Sequence, residues 1–205
     1  MKNLLKIAVF SLLSIFVFAS CNKESDIDYP DYEELLKKEQ KRRDSILTVQ
    51  KPILQAYALE NLDQPIYDDT TGIWFEILNP PTDTSFEYVV NSNGTWVTPT
   101  ATVKYKGQLL NGTVFDEPSQ PTVLSIVEAT QFQQGLITLW PIAFRPQKIT
   151  FGAKEYHTGL ITGGLKKGHK IRVISPSIYG YDNGKTDKIP ANSPLDFTIE
   201  VLDIK

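Results

Sequence analysis

Hydrophobic and polar positions give the chain distinct textures. Residues 7–18 are apolar except for Ser11 and Ser14. The stretch around residue 40 is charged instead. Glu33 with Lys37, Glu34 with Lys38 and Glu39 with Arg43 are acid-before-base pairs four residues apart, which predicts an exposed helix. Asp31 and Glu34 have capping-box spacing ahead of Leu35 and Leu36, so that helix is expected to open at Asp31. Residues 37–44 hold no apolar side chain, and two turns without an apolar stripe predict a stalk or a loosely docked arm. Pro52 is expected to kink or restart the helix, and Ile53, Leu54, Tyr57 and Ala58 offer a short stripe for docking. Residues 61–69 form a linker in this reading.

From Gly72 onward the pattern changes to strands. Ile73-Trp74-Phe75-Glu76-Ile77-Leu78 is rich in strand formers and is stopped by Asn79-Pro80-Pro81. Residues 86–90 and 95–97 flank Asn91-Ser92-Asn93-Gly94, a hairpin signal, and residues 102–105 and 113–115 flank a second at Asn111-Gly112. Residues 170–174 and 195–204 alternate and complete a sheet. Few helical segments interrupt these strands, which predicts an α+β domain with an antiparallel sheet.

Composition changes this picture little. With 41% apolar and 22% charged residues the 205-residue chain is neither a disordered protein nor a multi-span membrane protein, and its length suits one domain with an appendage. The first texture is a leader. Met1-Lys2-Asn3-Leu4-Leu5-Lys6 is basic, the apolar run follows, and small residues lead to Cys21, so residues 1–20 are expected to be a signal peptide. Phe18-Ala19-Ser20-Cys21 resembles the lipobox of bacterial lipoproteins, whose cysteine carries the lipid. Cys21 is therefore the expected attachment point to a membrane in the cell envelope, and residues 21–30 its spacer. As the chain's one cysteine, it excludes an internal disulfide and a thiolate zinc site. The two histidines, His157 and His169, without thiols or clustered carboxylates make no metal set and are expected to pack or face solvent. Without Lys2 and Lys6 the 21 basic residues fall to 19 against 24 acidic ones, a balance that argues against a nucleic-acid partner.

The chemistry is concentrated in one segment. Val103-Lys104-Tyr105-Lys106-Gly107-Gln108-Leu109-Leu110-Asn111-Gly112-Thr113-Val114-Phe115-Asp116 resembles, without a gap, the pattern V-x-Y-x-G-x-L-x-x-G-x-x-F-D of the FKBP family of peptidyl-prolyl isomerases. Gly164-Leu165-Lys166-Lys167-Gly168, Ser175-Pro176 leading to Tyr179-Gly180, Ile189-Pro190 and Phe197 continue the resemblance in family order, so residues 71–205 are expected to form the domain and residues 31–62 a helical arm. The resemblance implies an antiparallel FKBP-like sheet wrapped around a short helix. It also implies a proline-isomerising activity that needs no cofactor, with proline-containing peptides or unfolded exported proteins as substrates.

Carried over by position, Tyr105, Phe115, Asp116 and Tyr179 are the implied catalytic residues, and Leu160, Ile189 and Phe197 the implied substrate-binding ones. Tyr179 is given a hydroxyl donor role, and Asp116 a carboxylate held by Tyr105. The family's floor tryptophan, at the start of the short helix, has no counterpart in this alignment. Gly159-Leu160-Ile161-Thr162 is matched to the floor segment, with Leu160 at the floor, and its repeat Gly135-Leu136-Ile137-Thr138 is read as coincidence; Phe132 is a rival floor residue. Residues 118–148 then form an insertion, whose apolar side chains Leu124, Ile126, Phe132, Leu136, Leu139, Trp140, Ile142 and Phe144 suit a flap that either extends the substrate groove or folds into the pocket and closes it, with Trp140 as a spatial substitute for the missing tryptophan. Such a flap, with a missing tryptophan, would suit a non-catalytic binding module as the alternative function. An envelope stalk ranks last.

Overall fold

The computed structural model describes residues 32–127, 135–184 and 186–205. Asp31, Cys21, Phe132 and the leader lie outside the described residues. The chain divides into two compact units, Met1–Lys38 and Glu39–Lys205. In the first, Lys37 Nζ lies 3.9 Å from Glu33 on the exposed helix surface. Everything below concerns the second.

Helix α1, Tyr32–Asn61, runs through Pro52 without an interruption, so the expected restart does not occur. The expected docking stripe is engaged at Leu54, Tyr57 and Ala58, and the loose arm expected over residues 37–44 is corrected at Arg42. From Arg42 onward the helix is engaged, with Gln50, Leu54 and Ala58 buried. Leu54 and Ala58 join Leu62 and Ile174 in a small cluster flanked by Tyr57, Trp74 and Leu110. Glu39 pairs with Arg42 at 2.7 Å rather than with Arg43, whose guanidinium lies 5.7 Å from the Tyr179 ring centre.

The strands are β1 (Ile66–Asp68), β2 (Ile73–Asn79), β3 (Thr100–Leu109), β4 (Val114–Asp116), β5 (Thr122–Ser125), β6 (Lys148–Phe151), β7 (Lys154–His157), β8 (Lys170–Ser175) and β9 (Leu195–Ile204). Among the described residues, one antiparallel sheet has the order β1-β2-β8-β9-β3-β4, with β5 added to β3. β1 occupies the segment expected to be a linker. Asn91-Ser92-Asn93-Gly94 does turn, with the Asn91 amide donating to the Thr95 carbonyl at 2.8 Å, but it closes on a single bridge, Val90 to Trp96, rather than a ladder.

Alternation decides what each face of the sheet does. Ala101, Val103, Gly107 and Leu109 of β3 and Leu195, Phe197, Ile199 and Val201 of β9 are buried on one face. Their β8 neighbours are Ile171 and Val173, paired with Ile199 and Phe197. This face is closed by helix α2, Leu139–Phe144, in which Leu139, Trp140, Ala143 and Phe144 are each at most 5% exposed. A helix apolar all round is a core helix, and each large side chain buried in it contributes about 1.5–3 kcal/mol. Pro141 is tolerated because it sits in the first turn, where its missing N–H costs no helical bond.

Residues 118–148 are thus not a flap in their described part: β5 extends the sheet, and α2 is the core helix. A separate hairpin, β6–β7, follows α2. Gly159-Leu160-Ile161-Thr162 is not helical. Leu160 is 2% exposed within the core, and Ile161 bridges Pro146 near the base of that hairpin. Of the two Gly-Leu-Ile-Thr copies, it is the first that leads into the short helix.

Candidate active site

The site grows from one register row. Val173 pairs with Phe197, Phe197 with Gly107, and Gly107 with Asp116, so β8, β9, β3 and β4 bring these positions side by side. The register shifts after Gly107, and the Asn111-Gly112 turn brings β4 back across β3, with φ of +85° at Gly112. Phe115 is carried over Gly107. A Cβ there would fall 2.6 Å from Phe115 Cε2 and 2.8 Å from Phe197 Cε1, so a bare backbone is what lets the two rings meet.

The rings form a cluster. Phe115 and Phe197 meet edge to face with centres 5.5 Å apart, and Phe197 meets Trp140 at 5.8 Å. Tyr105 stands edge-on to Trp140 at 5.0 Å, and Phe115 edge-on to Tyr181 at 6.0 Å. Such contacts add about 0.5–1.5 kcal/mol each beyond burial. Phe197 and Trp140 are nearly buried, whereas Tyr105, Phe115 and Tyr181 are half-buried and Asp116 is exposed. The cluster therefore has a buried apolar base and a polar rim.

At that rim the Tyr105 hydroxyl donates to Asp116 Oδ2 at 2.8 Å. Burial first, and then the Asp116 carboxylate, raises the Tyr105 hydroxyl above the ordinary tyrosine value; burial and Asp116 raise Tyr181 in the same way. Both groups stay protonated donors through neutral pH. Ile189 is buried in the same core, in a loop tied to the site by Lys188 Nζ donating to the Phe115 carbonyl at 3.4 Å.

Of the expected site residues, the structure brings together Tyr105, Phe115, Asp116, Phe197 and Ile189. Tyr179 is placed differently. It ends the short 3₁₀ turn Ser177–Tyr179 with its ring under Arg43 and packs against the same core, while the tyrosine ring that meets Phe115 is Tyr181, two residues on. Leu160 is a core side chain in a turn, and the large side chain beneath the rings is Trp140. Sequence held a signal for both: Trp140 follows the first Gly-Leu-Ile-Thr, and Gly180 is flanked by tyrosines on each side. His169 packs, its Nδ1 accepting the Lys166 N–H at 2.8 Å. His157 Nε2 lies 3.1 Å from Asp68 Oδ1. No cluster of histidine, cysteine, aspartate and glutamate suited to a metal occurs among the described residues, nor a helix long and apolar enough to cross a membrane.

No protein-family model matches the chain. Over 104 residues, 51% of this chain and 32% of the relative, it is 38% identical to the FKBP-type peptidyl-prolyl cis-trans isomerase FkpA of Buchnera aphidicola subsp. Schizaphis graminum. It is 32% identical over 106 residues to the protein of the same name from Escherichia coli strain K12, covering 52% of this chain and 31% of that one. The chain thus spans about a third of the length of the curated relatives it matches. The crystal structure of FkpA from Escherichia coli superposes with a TM-score of 0.50 at 20% identity, covering 100% of this chain and 82% of that one, a likeness of fold. Over about half its length the chain is related in sequence to FKBP-type isomerases.

Proposed function

We propose that this protein is an FKBP-type peptidyl-prolyl cis-trans isomerase that assists exported proteins in the cell envelope, held there by lipid on Cys21. The observation that carries the reading is the cluster of aromatic rings Phe115, Phe197, Trp140, Tyr105 and Tyr181 with the Tyr105–Asp116 pair at its edge.

The chemistry needs little more. Resonance holds the peptide bond planar and dipolar, with a rotation barrier of ~18–20 kcal/mol, and Xaa-Pro bonds interconvert in tens of seconds or longer. Half-way through rotation that resonance is lost and the charge separation falls, so an apolar, water-poor hollow disfavours the twisted form less than the planar one. Phe115, Phe197 and Trp140 seat the pyrrolidine ring. The Tyr181 hydroxyl, kept protonated, donates to a substrate carbonyl, and Asp116, oriented by Tyr105, sets a carboxylate beside the twisting amide. No bond is broken and no cofactor enters.

The test is a proline-isomerisation assay on the soluble 22–205 chain with Phe115→Ala and Tyr181→Phe beside it. Activity in the wild type that falls in both variants supports the reading; activity unchanged in both defeats the site assignment. Tight binding of a proline peptide with no turnover would instead select the non-catalytic module. Lipidation is read separately, as loss of membrane fractionation and of incorporated fatty acid in Cys21→Ala.

A further inference from the structure

Tyr181 and Ile189 both belong to one long connection, residues 176–194, between β8 and β9. Among its described residues the regular structure is one short 3₁₀ turn, Ser177–Tyr179. Its two limbs meet where the Asn192 N–H donates to the Asp182 carbonyl at 2.6 Å, and Asp182 and Asn192 both sit in the left-handed region, at φ of 50° and 58°. Two non-glycine residues held in that region need an external restraint.

Helix α1 supplies it. The Gln50 side chain is 6% exposed, and its amide is used on both ends. Oε1 accepts the Ser177 N–H at 2.9 Å, while Nε2 donates to Ser177 Oγ at 2.9 Å and to the Asn192 carbonyl at 3.0 Å. One side chain therefore pins the start of the loop and its returning limb together. Two turns earlier Arg42 grips Asp182 with both nitrogens, Nη1 to Oδ1 at 2.9 Å and Nη2 to Oδ2 at 2.5 Å. Asp182 is the residue next to Tyr181. The forked geometry fixes direction as well as distance, which a single ammonium does not.

We infer that α1 is a positioning device for the aromatic site: Arg42 and Gln50 hold the 176–194 loop so that Tyr181 stands against Phe115 and Ile189 stays buried in the core. The inference rests on the isomerase reading for its consequence, but its mechanical half is measurable alone. Neither residue touches the ring cluster, so both are positioning residues, acting through Asp182, Ser177 and Asn192.

The experiment compares wild type, Arg42→Ala, Arg42→Lys and Gln50→Ala in the full chain by amide hydrogen exchange and by isomerase kinetics. Arg42→Ala removes a surface pair and leaves folding intact, whereas Gln50→Ala strands the buried Ser177 N–H. We expect faster exchange at Gly180, Asp182 and Asn192 in both alanine variants, with the β8–β9 ladder unchanged. Loosening that leaves the competent loop populated a fraction of the time lowers kcat/KM by that fraction, here roughly three- to tenfold. Arg42→Lys is expected to recover part of the loss, since it keeps the charge without the fork. Unchanged exchange in both alanine variants overturns the inference, and so does faster exchange with wild-type kcat/KM. An inactive wild type overturns the isomerase reading instead, and exchange alone then decides the clamp.

Discussion

The same sheet carries two tyrosine–aspartate pairs, one on each face. On the ring-lined face Tyr105 donates to Asp116 at 2.8 Å, and on the opposite face Tyr57 of α1 donates to Asp196 at 2.9 Å. The lengths are alike and the uses are not. Asp196 is 1% exposed and is also held by Gln108 Nε2 at 2.9 Å and by Arg172 Nη2 at 2.8 Å, so its acceptor sites are taken up inside the protein. Asp116 is exposed and flanked by aromatic rings. A tyrosine–carboxylate bond is therefore no mark of a site. What marks one is a carboxylate turned to solvent beside a cluster of half-buried aromatic rings.

Breaking each pair sharpens the contrast. Asp196→Ala leaves Arg172 with the Asn61 carbonyl but no carboxylate and is expected to cost about 3 kcal/mol of unfolding free energy, read in urea melts. Asp116→Ala is expected to change stability by less than about 1 kcal/mol while lowering kcat/KM roughly tenfold, or about 1.4 kcal/mol of transition-state stabilisation. Equal stability losses in the two variants would erase the distinction. Gly107→Ala comes next: its methyl group meets both Phe115 and Phe197, so about 1–3 kcal/mol of overpacking strain is expected, with isomerase activity falling because the rings must part. Tyr57→Phe and Tyr105→Phe should each cost about 1 kcal/mol, with activity lowered in Tyr105→Phe alone and by no more than in Asp116→Ala.

The smallest effect is in pH. Burial lowers the His169 imidazole below its ordinary value, so the folded state binds fewer protons than the unfolded one near that value. Its contribution is fully present above about pH 6.5 and is lost as pH falls through the depressed folded value. The dependence should flatten in His169→Gln. Tyr105 and Tyr181, both raised, should add no inflection to the activity profile below about pH 10.

The strands around the site were legible because their chemistry is local. The Tyr105-to-Asp116 segment contains its own turn at Asn111-Gly112, its own close approach at Gly107 and its own alternation, and the structure follows it residue by residue. Legibility failed where burial depends on distant partners. Leu139 to Phe144 is apolar all round, and apolar runs look the same whether they cover a pocket or sit beneath it. Two tyrosines two residues apart differ only in how a 3₁₀ turn aims them. Gln50 is polar and lies outside the apolar stripe expected to dock, and its partners lie more than a hundred residues away.

The most direct measurement of the central claim is an NMR search for contacts between a bound Xaa-Pro peptide and aromatic side chains. Nuclear Overhauser effects from the proline ring protons to Phe115, Phe197 and Trp140, lost in Phe115→Ala, are the predicted result. A peptide whose proline ring contacts none of these three, while its isomerisation is still accelerated, would contradict the account.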